Sequence, residues 1–164
     1  MRLFRPHLSE RGFIGRAVAR VPHRQLASGR WQATHRYSCD RHSPREARRF
    51  CIEALTTEVT SVGPSEELIQ DAALIVDELV TNAINAGCAT ATVRIALEQV
   101  PDATVVRLAV DDNAPGRPEP RYPTTTDTRG RGLRITDAIA TDWGVHRLWR
   151  GKQVWAVLAV PASH

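Results

Sequence analysis

Glu78 and Asn82 stand four residues apart in the stretch Leu74-Ile75-Val76-Asp77-Glu78-Leu79-Val80-Thr81-Asn82-Ala83-Ile84-Asn85-Ala86. In a helix that spacing stacks a carboxylate and a carboxamide on adjacent turns, pointing the same way. Such a pair can share a metal ion or hold a bound phosphate; it can equally be the polar rim of an amphipathic helix. Two further groups follow in the chain. Asp112 closes an apolar run and precedes Asn113-Ala114-Pro115-Gly116. A carboxylate there can accept a hydrogen bond from an exocyclic amine such as that of adenine, or simply cap its own turn. Gly130-Arg131-Gly132-Leu133 then opens another periodic stretch. Its glycines would let backbone N–H groups approach a phosphate, and a helix N-terminus adds partial positive charge; a tight turn uses the same residues.

The elements that must position these groups are legible from periodicity. Leu68, Ala72, Ile75, Leu79, Ala83 and Ala86 recur by threes and fours, which predicts a helix with one buried face. Ser65-Glu66-Glu67 opens it with acids at its positive end, and Gly87 ends it. Upstream, residues 31–38 read as a strand. Ser43-Pro44-Arg45-Glu46 offers a capping serine, a proline at the first helical position and a glutamate at the third. Ala47, Phe50, Cys51, Ala54 and Leu55 form the buried stripe of that helix, and Gly63-Pro64 breaks the chain after it. Residues 90–97 and 104–110 read as strands joined by a hairpin connection through Pro101-Asp102. Residues 119–130 read as a mobile loop, and Leu133, Ile135, Thr136, Ile139 and Ala140 as a third helix. A terminal hairpin over 143–149 and 153–160 turns about Arg150-Gly151-Lys152. The expected class is α+β: a two-layer sandwich, its mixed and mostly antiparallel sheet covered on one face by three helices.

A chain of 164 residues can bury a proper core as one domain, and no run is long enough to span a membrane. Cys39, Cys51 and Cys88 are odd in number and lack metal-ligand spacing, so they are expected as reduced thiols in a cytoplasmic protein. Charge is unevenly placed. Residues 1–30 hold seven arginines against the single acid Glu10, a surplus of six positive charges. The whole chain carries +4, so residues 31–164 carry −2. The boundary is drawn at residue 30, between a basic, flexible N-terminal arm and a domain over 31–164. A basic arm can bind nucleic acid, but aromatics for base stacking are confined to Phe4 and Phe13, and a solvated tail is the expectation.

Taken in order, these residues resemble the GHKL (Bergerat-fold) ATP-binding superfamily, and within it the stand-alone bacterial anti-sigma factor serine/threonine kinases. Glu78-Leu79-Val80-Thr81-Asn82-Ala83-Ile84 reads as the N-box, Asp112-Asn113-Ala114-Pro115-Gly116 as the Asp-x-Gly-x-Gly box, and Gly130-Arg131-Gly132-Leu133 as the second glycine box. Trp143-Gly144-Val145 and Gly151-Lys152-Gln153-Val154-Trp155 add agreement over about residues 31–160. The resemblance implies a Bergerat fold that takes ATP and Mg²⁺. Asn82 would hold Mg²⁺, and Glu78 would be the general base toward a serine hydroxyl. Asp112 would read the adenine amine, with Gly116 letting the base lie against the backbone. Residues 119–130 would form a lid, with Gly130, Arg131, Gly132 and Leu133 at its hinge and phosphate cradle. The implied partners are a sigma factor and an anti-anti-sigma protein of the STAS type, with a possible homodimer. The alternative is a non-catalytic or degenerate ATP-binding module that sequesters a regulatory partner. Two positions depart from the pattern. Ala86 stands where the N-box commonly carries histidine, and Ala114 replaces the first glycine of the aspartate box.

Overall fold

The computed structural model describes residues 30–57, 63–115 and 131–161. Eight elements run in the order β1 (Arg30–Ser38), α1 (Ser43–Thr57), α2 (Glu66–Asn85), β2 (Thr90–Val100), β3 (Ala103–Asp112), α3 (Arg131–Ile139), β4 (Asp142–Arg147) and β5 (Lys152–Pro161). The strands form one sheet in the order β1-β2-β3-β5-β4. Every pairing is antiparallel, so the sheet has none of the parallel character that a mixed sheet allows. The β2–β3 hairpin closes through Pro101-Asp102 alone, with Val100 opposite Ala103; both strands run longer than their apolar alternation suggests. With the three helices this is the expected α+β sandwich.

Alternation along the strands divides the sheet into two faces. Val93, Ile95 and Leu97 of β2, Val106, Leu108 and Val110 of β3, and Val154, Ala156 and Leu158 of β5 form one core with the helices. Helix α2 lies across β2, β3 and β5 and packs against both α1 and α3. That placement explains why its buried surface is wider than the predicted stripe: Ile69, Ala73, Val76 and Val80 are buried along with Leu68, Ala72, Ile75, Leu79 and Ala83. Ala86, counted in the stripe from sequence, is instead the exposed C-cap.

Both ends of α2 are chemically fixed. The Ser65 side chain accepts from Leu68 N–H at 3.3 Å, and Glu66 and Glu67 occupy the first turn. At the other end the Gly87 N–H donates to Ile84 O at 2.8 Å and the Cys88 N–H to Ala83 O at 3.2 Å. This is a Schellman closure, and it requires the left-handed Gly87 (φ 83°). The start of α1 differs from expectation. Asp40, not Ser43, caps it: Asp40 Oδ1 accepts from His42 N–H at 2.7 Å and Ser43 N–H at 3.1 Å. Those N–H bonds, the one from His42 foremost, hold the Asp40 carboxyl below its usual value. Ser43 is buried, and its hydroxyl donates back to Ser38 O at 2.6 Å.

The thiol expectation is corrected as well. Cys39 and Cys88 form a disulfide, Cα–Cα 5.9 Å, which ties the end of β1 to the turn after α2. They lie 49 positions apart in sequence, and the β1–β2 pairing brings them together. Cys51 alone is free; burial within α1 pushes its thiol up to about 12. The arm boundary at residue 30 and the loop over 119–130 fall outside the described residues on one side or entirely.

Candidate functional site

Glu78 and Asn82 project from the shoulder of α2, one turn apart and both half-buried. Helix formation through this stretch is secured by the buried Ile75, Leu79 and Ala83, so the two polar groups are held by a helix that packing keeps rigid. Glu78 has neither a hydrogen bond nor an ion pair among the described residues. Burial, and to a lesser degree the neighbouring Asp77 carboxylate, raises its carboxyl above the ordinary value. Asn82 carries a sharper sign. Among the described residues its amide nitrogen is buried without a hydrogen-bond partner. Buried amides are nearly always satisfied, so an orphan at this position is a polar group held ready for something else.

Asp112 ends β3 on the core face of the sheet, beside Val110 and Ala114, and its side chain is 1% exposed. Both of its oxygens are engaged. Oδ1 accepts from Ala114 N–H at 3.1 Å, and Oδ2 lies 2.7 Å from Lys152 Nζ. Two neighbours fix this strand end, and neither was singled out from sequence. Asn113 Oδ1 accepts from Ala89 N–H at 2.9 Å and Thr90 N–H at 2.8 Å, clamping the turn after β3 to the segment that leaves α2. Gly151, in the β4–β5 turn at φ 79°, passes so close that a Cβ would sit 1.8 Å from Asp112 O. Asn113 could have been suspected from its place in the Asp-Asn-Ala-Pro-Gly run. The roles of Lys152 and Gly151 depend on the β3–β5 register, which no local signal carries.

The remaining residues divide simply. Gly116 and Gly130 lie outside the described residues. Arg131 and Gly132 open α3, and Leu133 packs, partly buried, against the core that contains α2. Glu78 and Asn82 thus share α2, Leu133 lies on α3 and Asp112 ends β3 with Lys152 across from it, all on elements that pack around the same core.

This arrangement suits a nucleotide carried with a divalent cation. No cluster of three His, Cys, Asp or Glu among the described residues could cage a metal by itself. Mg²⁺ needs no such cage, because it is commonly held by one or two protein oxygens together with phosphates. The Asn82 carboxamide has an atom for each half of such a site: its oxygen is a ligand of the kind Mg²⁺ takes, and its unpaired Nδ2–H can donate to a phosphate oxygen.

No curated protein matches this chain. The family model described as the histidine kinase-like ATPase domain matches residues 41–158, which takes in α1 through most of β5 and every site residue named above. The chain belongs to the histidine kinase-like ATPase domain family, whose members share this α+β fold and bind ATP.

Proposed function

We propose that this protein is an anti-sigma-type regulator that uses ATP and Mg²⁺ to phosphorylate a serine or threonine of a STAS-type anti-anti-sigma partner, and that it sequesters a sigma factor. The observation that carries the reading is the pair on α2: Glu78, its carboxyl raised by burial and without a partner among the described residues, one turn from an Asn82 whose amide nitrogen is likewise unpaired among them, inside an ATPase domain.

The chemistry follows from the side chains. The Asn82 amide oxygen would ligate Mg²⁺, which when bound neutralises the phosphates. Asp112 would accept from the adenine amine at the other end of the nucleotide. Glu78 would take the proton as the partner's hydroxyl oxygen bonds to the γ-phosphorus and the bond to the β-phosphate oxygen breaks, releasing ADP. A raised carboxyl is a stronger base than an ordinary one, which suits that task. Incubation with radiolabelled ATP and candidate STAS partners tests the proposal: label should pass to the partner and be lost with Glu78→Gln. Transfer that is indifferent to Glu78→Gln removes the role given to Glu78.

A second reading is supported by Ala86. This position commonly carries histidine in the anti-sigma kinases, and here it is an exposed helix cap. A module that binds ATP and holds its partner without transfer would show saturable ATP binding and an unlabelled partner. A cytoplasmic place is proposed on the family likeness alone; no helix among the described residues is long and apolar enough to cross a membrane. A homodimer is proposed on the family likeness alone.

A further inference from the structure

The last strand places a cation on the carboxylate assigned to the base. Asp112 and Lys152 are direct cross-strand partners in the β3–β5 register, on the face that carries Val110 and Val154 into the core. Lys152 Nζ lies 2.7 Å from Asp112 Oδ2; the Asp112 side chain is 1% exposed and that of Lys152 19%. The lysine head therefore stands on the more open side of the pair. Its backbone cannot drift away, because Gly151 is pressed against Asp112 O.

Neither group is exhausted by this bond. An ammonium has three N–H donors, and a carboxylate oxygen has two lone pairs. After their mutual contact, Asp112 Oδ2 can still accept and Lys152 can still donate. The two side chains thus present an acceptor and a donor side by side. Adenine presents the complement on one edge: its exocyclic amine donates, and the adjacent ring nitrogen N1 accepts. Aspartate alone reads only the amine.

We propose that Lys152 is a specificity-determining residue of the nucleotide site, donating from Nζ to adenine N1 while Asp112 Oδ2 accepts from the exocyclic amine. The inference rests on the ATP-binding reading above and deepens it. Hypoxanthine in the same pose reverses both functions. Its N1–H would face the ammonium and its carbonyl the carboxylate, so the pair repels that base as well as attracting adenine.

Calorimetric binding of ATP, 1-deaza-ATP (a C–H in place of N1) and ITP to the full chain with Mg²⁺ tests this. Wild-type protein should bind ATP at least about tenfold tighter than 1-deaza-ATP, equivalent to about 1.4 kcal/mol, and ITP should be weaker still. In Lys152→Met the preference for ATP over 1-deaza-ATP should collapse to within about twofold, as expected when one charged donor is removed. Removing the ammonium leaves a buried carboxylate without its partner and weakens the fold. The wild-type comparison therefore stands by itself, and Lys152→Arg, which keeps the charge but moves the donors, should lower the ratio in a folded protein. Equal wild-type affinity for ATP and 1-deaza-ATP overturns the role of Lys152 and leaves ATP binding intact. Tighter ATP binding by Lys152→Met also overturns it, because the lysine would then be an obstruction. An absence of ATP binding in wild type overturns the underlying reading.

Discussion

At the scale of single residues, Glu78 is the group whose chemistry is most exposed to test. Its carboxyl is raised by burial first and by Asp77 second. The folded protein therefore holds the proton to higher pH than the unfolded chain does. Between the two values the folded state binds more protons, so this group's contribution to stability falls as pH rises through that window. Above the window the ionised carboxylate is a small burden on the fold, and Glu78→Gln should melt at or above the wild-type temperature at pH 7. Phosphotransfer runs the opposite way. It should increase with pH through the raised Glu78 value, and Glu78→Gln should lower it by about 10²–10⁴-fold, the usual yield of a positioned general base. A variant that loses both activity and melting temperature would instead mark Glu78 as a structural residue.

Among the elements, the two left-handed glycines separate backbone strain from crowding. Gly87 closes α2 at φ 83°, and among the described residues a Cβ there would meet only Pro115 Cδ, at 4.0 Å. Gly87→Ala should lose about 1 kcal/mol, the strain of a left-handed alanine. Gly151, at φ 79°, has no such room: its Cβ would collide with Asp112 O at 1.8 Å and Asp112 C at 2.6 Å. Gly151→Ala should lose about 3 kcal/mol, because strain and overpacking add, and the displacement falls directly on Asp112. Denaturant melts of both variants, read beside ATP affinity, check this. Gly87→Ala should keep nucleotide binding, whereas Gly151→Ala should lose it along with stability. The Asn113 clamp serves the same strand end, joining the turn after β3 to Ala89 and Thr90 so that Asp112 is anchored from both sides.

For the molecule as a whole, the Cys39–Cys88 bridge is the longest-range covalent constraint, its ends 49 positions apart in sequence. Chain-entropy reasoning assigns a loop of that size about 4 kcal/mol. Reductant, or Cys39→Ser with Cys88→Ser, should lower the midpoint of unfolding accordingly; an unchanged midpoint would show that the bridge does not form. This link also marks the limit of what the chain displays locally. The α2 helix, the five strands and the N-box pair were legible because apolar residues repeat with period 3.6 or 2, and Glu78 and Asn82 ride on one such repeat. What escaped depended on distance. The disulfide needed the β1–β2 register, Lys152 on Asp112 needed the β3–β5 register, and the cap of α1 moved to Asp40 because Ser43 was drawn inward to Ser38 O. The breadth of α2 burial likewise came from helices on both flanks, which a single amphipathic stripe does not announce. The central claim is that Asn82, on this helix, completes a site for ATP with Mg²⁺. Thermal unfolding of wild type and Asn82→Ala across a Mg-ATP titration tests it most directly. A ligand that binds only the folded state adds about 2.7 kcal/mol at a hundredfold excess over Kd. The wild-type melting temperature should rise with ligand and that of Asn82→Ala should stay flat. An equal rise in both proteins, or none in wild type, would contradict the account.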